Sequence, residues 1–581
     1  MRNDLLPVVV AFPSNLMATA QSPLTLPTTY ARELTNMIAA PDGSGTTRNG
    51  LTTVGASLGS ASIMGVFSYQ HTSGLQVLVV TDAGGIFRLN GGSWVSVYSG
   101  LNGTGTPRAV LFGGKLVLCN GIDPILVWDG ATMAPVQTLV RDAGANLTML
   151  SATQLRIDST AALYPVGSDV RVRVNGAYVT TTVAAVSQSG AQTTVTLASS
   201  VLVAPLTEVW FAVRPPAFAN MRVAHDRLWG FGKGPLNPTL ATDVDRLRVF
   251  YTFGVNDPAA WPDTATGSIP SINLADKAGV ADELLAMAVK DGMTVFLGRM
   301  HVQLWEGSRP QAGGDFGWVK TIPLGVVHGD AVLDLPNDLL LVTRLGARTL
   351  SRTVQTEQLD IADVGKAIDP TLMALMREVE ANVPAYRRLA GFSCPAQQWF
   401  GLAMGSKTLV WQVAATGQGW AQFDGGFANL TAAHTAVDGT LYVAKGNQLY
   451  RYDTTVWSDA GVPFTARWWT PWVAPAANRR WANKMTELLV VPTVGQSLTL
   501  RRYKDFDDSN GQVLNLVLPN IPDYWDTATW DAALWDNSGA SSPLVRDPVV
   551  AEVMALCVET NNALPLRILG VRFYGLAEQR S

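Results

Sequence analysis

The stretch Leu75 to Val97, LQVLVVTDAGGIFRLNGGSWVSV, limits the possible folds more than any other part of the chain. Leu75, Val77 and Val79 alternate with Gln76, Leu78 and Val80 as far as Asp82, and Gly84-Gly85 then interrupts the run before Ile86-Phe87-Arg88-Leu89. Asn90-Gly91-Gly92 turns the chain again ahead of Ser93-Trp94-Val95-Ser96-Val97. Period-two runs joined by glycine turns read as three strands of an antiparallel meander. A sheet this small cannot bury both faces by itself, so it needs neighbours of the same kind.

The neighbours are visible in the sequence. Lys115 to Cys119 and Ile125 to Gly130 flank an Asn120-Gly121 turn, and the strand, turn, strand pattern returns at Met293 to Trp305, Asp338 to Leu350, Trp399 to Trp411 and Thr440 to Tyr452. The spacing, about 40 residues upward once insertions are allowed for, suits radially repeated four-stranded blades. The fold expected is all-β: a β-propeller of roughly six to eight blades, with an inserted small β-barrel or sandwich and a C-terminal β-domain. A series of unrelated β-sandwiches would give a similar rhythm.

Four segments follow. Residues 1–136 hold an N-terminal segment, with a strand at Val8 to Phe12, and the first blades. Residues 137–213 change rhythm: Leu155 to Asp158, Val170 to Val174, Tyr178 to Val183 and Thr193 to Leu197 alternate apolar and polar cleanly, as in a compact barrel or sandwich with one wet face. Residues 214–472 resume the blades after Pro215-Pro216, with a helix at Thr371 to Ala381 started by Asp369-Pro370, and Trp468 to Trp472 closes them. In residues 473–581, Met485 to Val491 and Gln496 to Tyr503 read as strands, and Val549 to Val558 and Leu566 to Phe573 as a closing pair. Between them Trp525-Asp526, Trp530-Asp531 and Trp535-Asp536 recur every five residues, a period of neither helix nor strand, so an irregular loop is expected. Buried, those rings pin the loop; exposed, they form an interaction surface.

Composition narrows the function. Of 581 residues 47% are hydrophobic and only 15% charged, against about 25% in ordinary soluble domains. An all-β chain this poor in charge is expected to have partners covering its surface. The formal net charge of −4, with Arg479-Arg480 and Arg501-Arg502 as the densest basic spots, lacks the basic stripe of a nucleic-acid binder. Cys119, Cys394 and Cys557 are odd in number and far apart, which fits buried thiols rather than a disulfide framework. The apolar run Leu5 to Phe12 is broken by Pro7 and reads as a first β-strand rather than a signal peptide.

Several chemical patterns fall short of their templates. His71, His225, His301, His328 and His434 stand at no metal-ligand spacing. Asp505, Asp507, Ser509 and Asn510 begin like a calcium loop, but the glycine comes late at Gly511 and Leu516 stands where a glutamate is needed. Gly401 to Thr408 resembles a phosphate loop yet joins two strands instead of a strand and a helix. Thr81 to Gly84 and Ser458 to Gly461 resemble the Asp-boxes of sialidases with the aspartate one place early, and read better as hairpin turns. No catalytic residue, cofactor site or metal site is therefore expected, and the chain is not read as an enzyme.

Taken in order, the features resemble the tail nozzle (tubular B) proteins of short-tailed bacteriophages. The similarity rests on Asn36-Met37 with Arg48-Asn49-Gly50, where that family carries Arg-Pro-Gly. It rests also on Arg227 to Phe231, Phe250 to Trp261, Asp338 to Ser351, Gly419 to Gly425 and the Trp-Asp loop. The resemblance implies a virion structural protein made in the host bacterial cytoplasm and residing in the tail. Its expected assembly is a homohexameric ring below the portal adaptor, contacting tail fibres or spikes and, at the distal tip, the host envelope. Genomic double-stranded DNA would pass through the lumen without sequence-specific binding. Six chains at −4 each carry −24, and an acidic wall repels a duplex with one charge about every 1.7 Å. A host-receptor or glycan-binding propeller is the alternative reading, and a carbohydrate hydrolase the second alternative.

Overall fold

Short antiparallel meanders dominate a computed structural model that describes residues 6–141, 147–158, 164, 166–204, 208–232, 246–263, 268–279, 281–311, 313–335, 338–356, 364–382, 388–414, 417–475, 479–491, 496–518 and 543–578. The founding meander has the strands Ile63–His71, Gly74–Thr81, Ile86–Asn90 and Ser93–Tyr98, in sequential order. Each of the other five hairpins legible in the sequence is also found, for instance Met293–Gly298 with Val302–Glu306 and Leu441–Lys445 with Gln448–Asp453. The fold is all-β, built from blade sheets of the β-propeller kind, with an inserted β-domain and C-terminal β-sheets. Among the described residues there are seven such blades, most of them four-stranded.

The chain divides into two compact units, one of Met1–Ser68, Leu89–Trp94 and Asp330–Ser581, the other of Tyr69–Arg88 and Val95–Gly329. The second unit contains the blades that begin at Arg108, Asn220 and Leu284. Their faces meet in aromatic cores such as Trp229, Tyr251, Phe296 and Trp305, all buried. Side chains tie successive blades edge to edge: Arg108 Nη1 donates to Ala219 O (2.9 Å), Asn220 Nδ2 to Leu285 O (3.1 Å) and Gln303 Nε2 to Leu274 O (3.0 Å). The insertion is a seven-stranded sheet from Thr138–Arg141 to Val209–Val213, whose long strand Ala177–Ser189 pairs with Asp169–Val174 along its first half and with Gln192–Leu197 along its second. Leu155, Val170, Val172, Val183, Val195 and Phe211 fill its core, the apolar half of the alternation seen in the sequence.

In the first unit, three blades begin at Val332, Ala390 and Ala432. The last of these takes its fourth strand from the N-terminal segment: Gly50–Val54 pairs antiparallel with Gln448–Asp453. A helix at Asp369–Ala381 presents Leu372, Met376 and Val379 to the core, and its first-turn Asp369 accepts from Ala347 N (3.0 Å) and pairs with the buried Arg348 (2.8 Å). The expected helix thus starts two residues earlier, and a further short helix, Leu350–Thr356, follows the Gly346–Thr349 strand.

Residues 549–558, read in the sequence as a single strand, are two. Leu544–Ala551 lies in a sheet with Arg480–Val491, whereas Met554–Thr560 lies in another with Ala466–Trp469 and Ser497–Lys504. The corner at Glu552-Val553 is fixed by Glu552 N donating to Asp505 Oδ1 (2.7 Å) and Asp505 N to Val553 O (3.0 Å). Nor does the stretch pair with the last strand: Arg567–Glu578 lies against Arg480–Val491, Leu6–Ala11 and Gly45–Thr47. Ala466–Trp469 is correspondingly a sheet strand between Glu33–Thr35 and Met554–Thr560 instead of a closing element. The N-terminal strands therefore complete both C-terminal sheets, a long-range pairing that local periodicity does not report.

Candidate functional site

Gly417–Phe423, the outer strand of the blade that begins at Ala390, is where the N-terminal segment docks. Met17 N donates to Trp420 O (2.8 Å), Asn36 N to Gln422 O (2.9 Å), and Gln422 Nε2 to Thr35 Oγ1 (2.7 Å). The strand ends at Phe423, and after Asp424 the positive φ of Gly425 (65°) swings the chain into a short turn holding the buried Phe427. Asn36 also adopts positive φ (54°), which an asparagine tolerates better than most residues. This bend aims its amide at Asp424 Oδ1 and at Thr465 O (2.7 Å).

Arg48 sits at the centre of these segments with its side chain fully buried. Its guanidinium has five N–H donors, and all five are used. Nε donates to Asn36 Oδ1 (2.8 Å), Nη1 to Asn49 O (2.9 Å) and Asp459 Oδ1 (2.9 Å), and Nη2 to Asp424 O (3.2 Å) and Asp459 Oδ2 (2.7 Å). Asp459 Oδ2 also accepts from Gly426 N (2.7 Å). The bidentate fork is the strong geometry for an arginine and a carboxylate. Cation–π contact adds to it, because the guanidinium carbon lies 3.8 Å from the Phe464 ring centroid and 4.8 Å from that of Phe427. Two residues on, Gly50 packs so closely on Ser458 that a Cβ would stand 2.0 Å from its carbonyl oxygen, so a glycine is required there. Asn49 N donates to the Tyr452 hydroxyl (3.3 Å), whose pKa burial pushes up.

Segments that stand far apart in the sequence, Asn36-Met37, Arg48-Asn49-Gly50, Gly419 to Gly425 and Ser458 to Gly461, thus converge on a single junction. The last is a hairpin turn as expected, with Ala460 and Gly461 at positive φ, but its aspartate faces inward. Sequence reasoning missed that orientation. The available signal was a lone arginine in a Gly/Ser/Thr-rich link with no charged neighbour. Beside the junction lies an open cavity of about 380 Å³ lined by Leu51, Lys445, Tyr450, Asp459, Pro463 and Phe464. Two of its polar groups are engaged by the protein, Lys445 Nζ with Gly425 O (3.0 Å) and Asp459 with Arg48. Chemically, the junction holds strands in register.

Two further segments behind the family resemblance also meet, in the second unit. Arg227 Nη1 donates to Thr252 O (2.6 Å) and Phe253 O, and Phe253 N to Trp261 O (3.2 Å), so Arg227 to Phe231 clasps Phe250 to Trp261.

The other candidates fall as follows. Trp525, Asp526, Trp530, Asp531, Trp535 and Asp536 lie outside the described residues. Asp507 serves its own turn, accepting from Ser509 N (2.9 Å) and Oγ (2.6 Å) and Asn510 Nδ2 (3.0 Å), which holds its pKa down at about 2. Asp505 points instead to the Glu552 corner, so the two carboxylates diverge. Gly405-Ser406 is a hairpin turn, and Lys407 Nζ reaches Gln422 Oε1 (2.9 Å). Thr81 N donates to Gly85 O (2.9 Å) across the turn that holds Asp82. All three cysteines are buried free thiols, with Cys119 and Cys394 pushed up to about 12 by burial. Among the described residues no group of three His, Cys, Asp or Glu side chains could hold a metal, and no helix is long and apolar enough to cross a membrane.

No protein-family model and no curated protein matches the chain. Among solved structures it is similar to the computationally designed Ika8 protein, at 10% identity and a TM-score of 0.33, over 70% of this chain and 100% of that one. It is similar also to BamB from Moraxella catarrhalis, at 10% identity and a TM-score of 0.31, over 71% of this chain and 90% of that one. Likenesses this distant carry no argument about function.

Proposed function

We propose that the chain is a virion structural protein of the tail nozzle type, a subunit of a ring-shaped conduit through which double-stranded DNA leaves a short-tailed phage. The observation that carries this reading is the saturated Arg48 junction. Residues that prompted the family resemblance are parts of one lock, which fastens Gly50–Val54 into the blade of Gln448–Asp453 and spends every guanidinium donor on the protein itself. A lock of this kind suits a wall element that must resist force. The low charged fraction suits a subunit covered by neighbours on both flanks, with heterologous contacts that close a ring. In this reading the ring is a homohexamer, seated on the portal adaptor above and bordered by fibres or spikes, and its acidic charge lets the duplex slide.

Negative-stain imaging and native mass measurement of the purified full chain, alone and with its adaptor, test the proposal. A closed ring with an axial hole is expected; a monomer under both conditions overturns it.

A further inference from the structure

The inserted domain carries an arginine that is the opposite of Arg48. On the strand Asp169–Val174, Val170 and Val172 point into the core, so Arg171 and Arg173 share the outer face. Arg171 stands opposite Trp210 on one neighbouring strand and Thr180 on the other, and Arg173 stands opposite Tyr178. The Arg171 guanidinium carbon lies 4.7 Å from the Tyr178 ring centroid and 5.6 Å from that of Trp210, and Arg173 lies 5.8 Å from Tyr178. Tyr178 is 48% exposed, and its hydroxyl donates to Glu208 Oε2 (2.7 Å), which fixes the ring. Glu208 in turn lies 3.6 Å from Arg173. The Arg171 Nε and the neighbouring Trp210 Nε1 are both buried without a hydrogen-bond partner. A guanidinium held against two rings, beside an exposed and fixed tyrosine, is a preorganised receptor for a planar or tetrahedral anion.

We propose that this face binds an acidic polysaccharide, a sugar carboxylate pairing with Arg171 while the pyranose ring lies against Tyr178. The choice of a glycan over a nucleic acid follows from charge. A polynucleotide needs several phosphate contacts to hold at physiological salt, and this face offers two arginines, one of them beside Glu208. A uronic acid chain asks for one cation and an exposed aromatic ring. The site is independent of the conduit reading and stands or falls without it.

Affinity electrophoresis of the full chain through gels containing polygalacturonate, a neutral galactan or poly-dT tests it. Polygalacturonate is expected to retard the protein and the neutral polymer not to. Arg171→Ala is expected to weaken the apparent affinity at least tenfold, and Arg171→Lys nearly as much, since an ammonium makes no planar fork. Should Arg171→Ala fail to fold, Tyr178→Ala at the exposed ring carries the same expectation. Absence of retardation by polygalacturonate, retardation unchanged in these variants, or stronger and Arg171-dependent retardation by poly-dT each overturns the proposal.

Discussion

Replacing Arg48 with alanine removes the hub of the junction, and the structure sets the size of the effect. Asp459, its side chain only 10% exposed, would keep Gly426 N as a donor but lose its counter-ion. Asn36 Oδ1 and the carbonyls of Asn49 and Asp424 would each lose a donor as well. Breaking a buried ion pair by deleting one partner costs about 3–5 kcal/mol, mostly the penalty of the stranded charge. Because two compact units make a single unfolding free energy ill defined, the loss is best read locally, by native-state hydrogen exchange in Gly50–Val54 and Gln448–Asp453. If the junction is what holds that pairing, exchange there should quicken by about 100-fold or more, at about 1.4 kcal/mol for each factor of ten. Arg48→Met combined with Asp459→Leu removes both charges and should recover much of the loss, since an apolar pair of similar volume can replace a buried ion pair at little cost. Less than a tenfold change in Arg48→Ala, or a double variant no better than the single one, would refute the lock.

Two further outcomes are expected in the same unit. His434 is buried with its Nε2 2.8 Å from Ser68 Oγ, and burial lowers its pKa from the ordinary 6.5 to about 4. The folded state therefore favours the neutral ring, so its contribution is fully present above about pH 6.5 and is lost as the pH falls toward 4, by about 3 kcal/mol in all. Unfolding curves of the parent and of His434→Gln, taken from pH 7 to pH 4, should converge by about that amount, and parallel curves would remove the histidine as the cause. Gly50→Ala should destabilise the first unit by about 1–3 kcal/mol, because the new methyl meets the backbone oxygen of Ser458 and neither strand can yield; urea unfolding with an unchanged midpoint would contradict that packing.

The blades were legible in the sequence because everything that defines them is local. At Met293–Gly298 and Val302–Glu306, alternation and a short turn between the two runs determine the hairpin within about 15 residues. The insertion was legible for the same reason, since Val170 and Val172 alternate with Arg171 and Arg173 on a half-wet face. The C-terminal sheets were not, because their partners are remote: Val8 pairs with Phe573 and Leu34 with Trp468. Apolar alternation told that each was a strand and gave no means of choosing the partner. The junction lay between these cases. Its segments drew attention one by one, yet nothing in Ser458 to Gly461 distinguishes an aspartate facing inward from one capping its own turn.

Arg48 and Arg171 separate two uses of one side chain by a physical criterion, the number of donors left over. Both guanidinium groups lie over aromatic rings, so stacking alone does not distinguish them. The difference is that Arg48 is buried and spends all five donors on the chain, whereas Arg171 lies at a half-exposed sheet face and leaves its Nε without a partner. A saturated guanidinium rigidifies, because any ligand would have to displace a bond already made in a dry site. An unsaturated one is costly to keep, since unpaired buried donors are penalised by about 1–3 kcal/mol. Orphaned arginine Nε atoms also occur at Arg88, Arg214, Arg248, Arg348 and Arg388, so what sets Arg171 apart is its place against the exposed ring of Tyr178, where a bound anion would offset the cost. The exchange test at Arg48 and the polysaccharide test at Arg171 therefore check the two uses separately, and either can fail without the other.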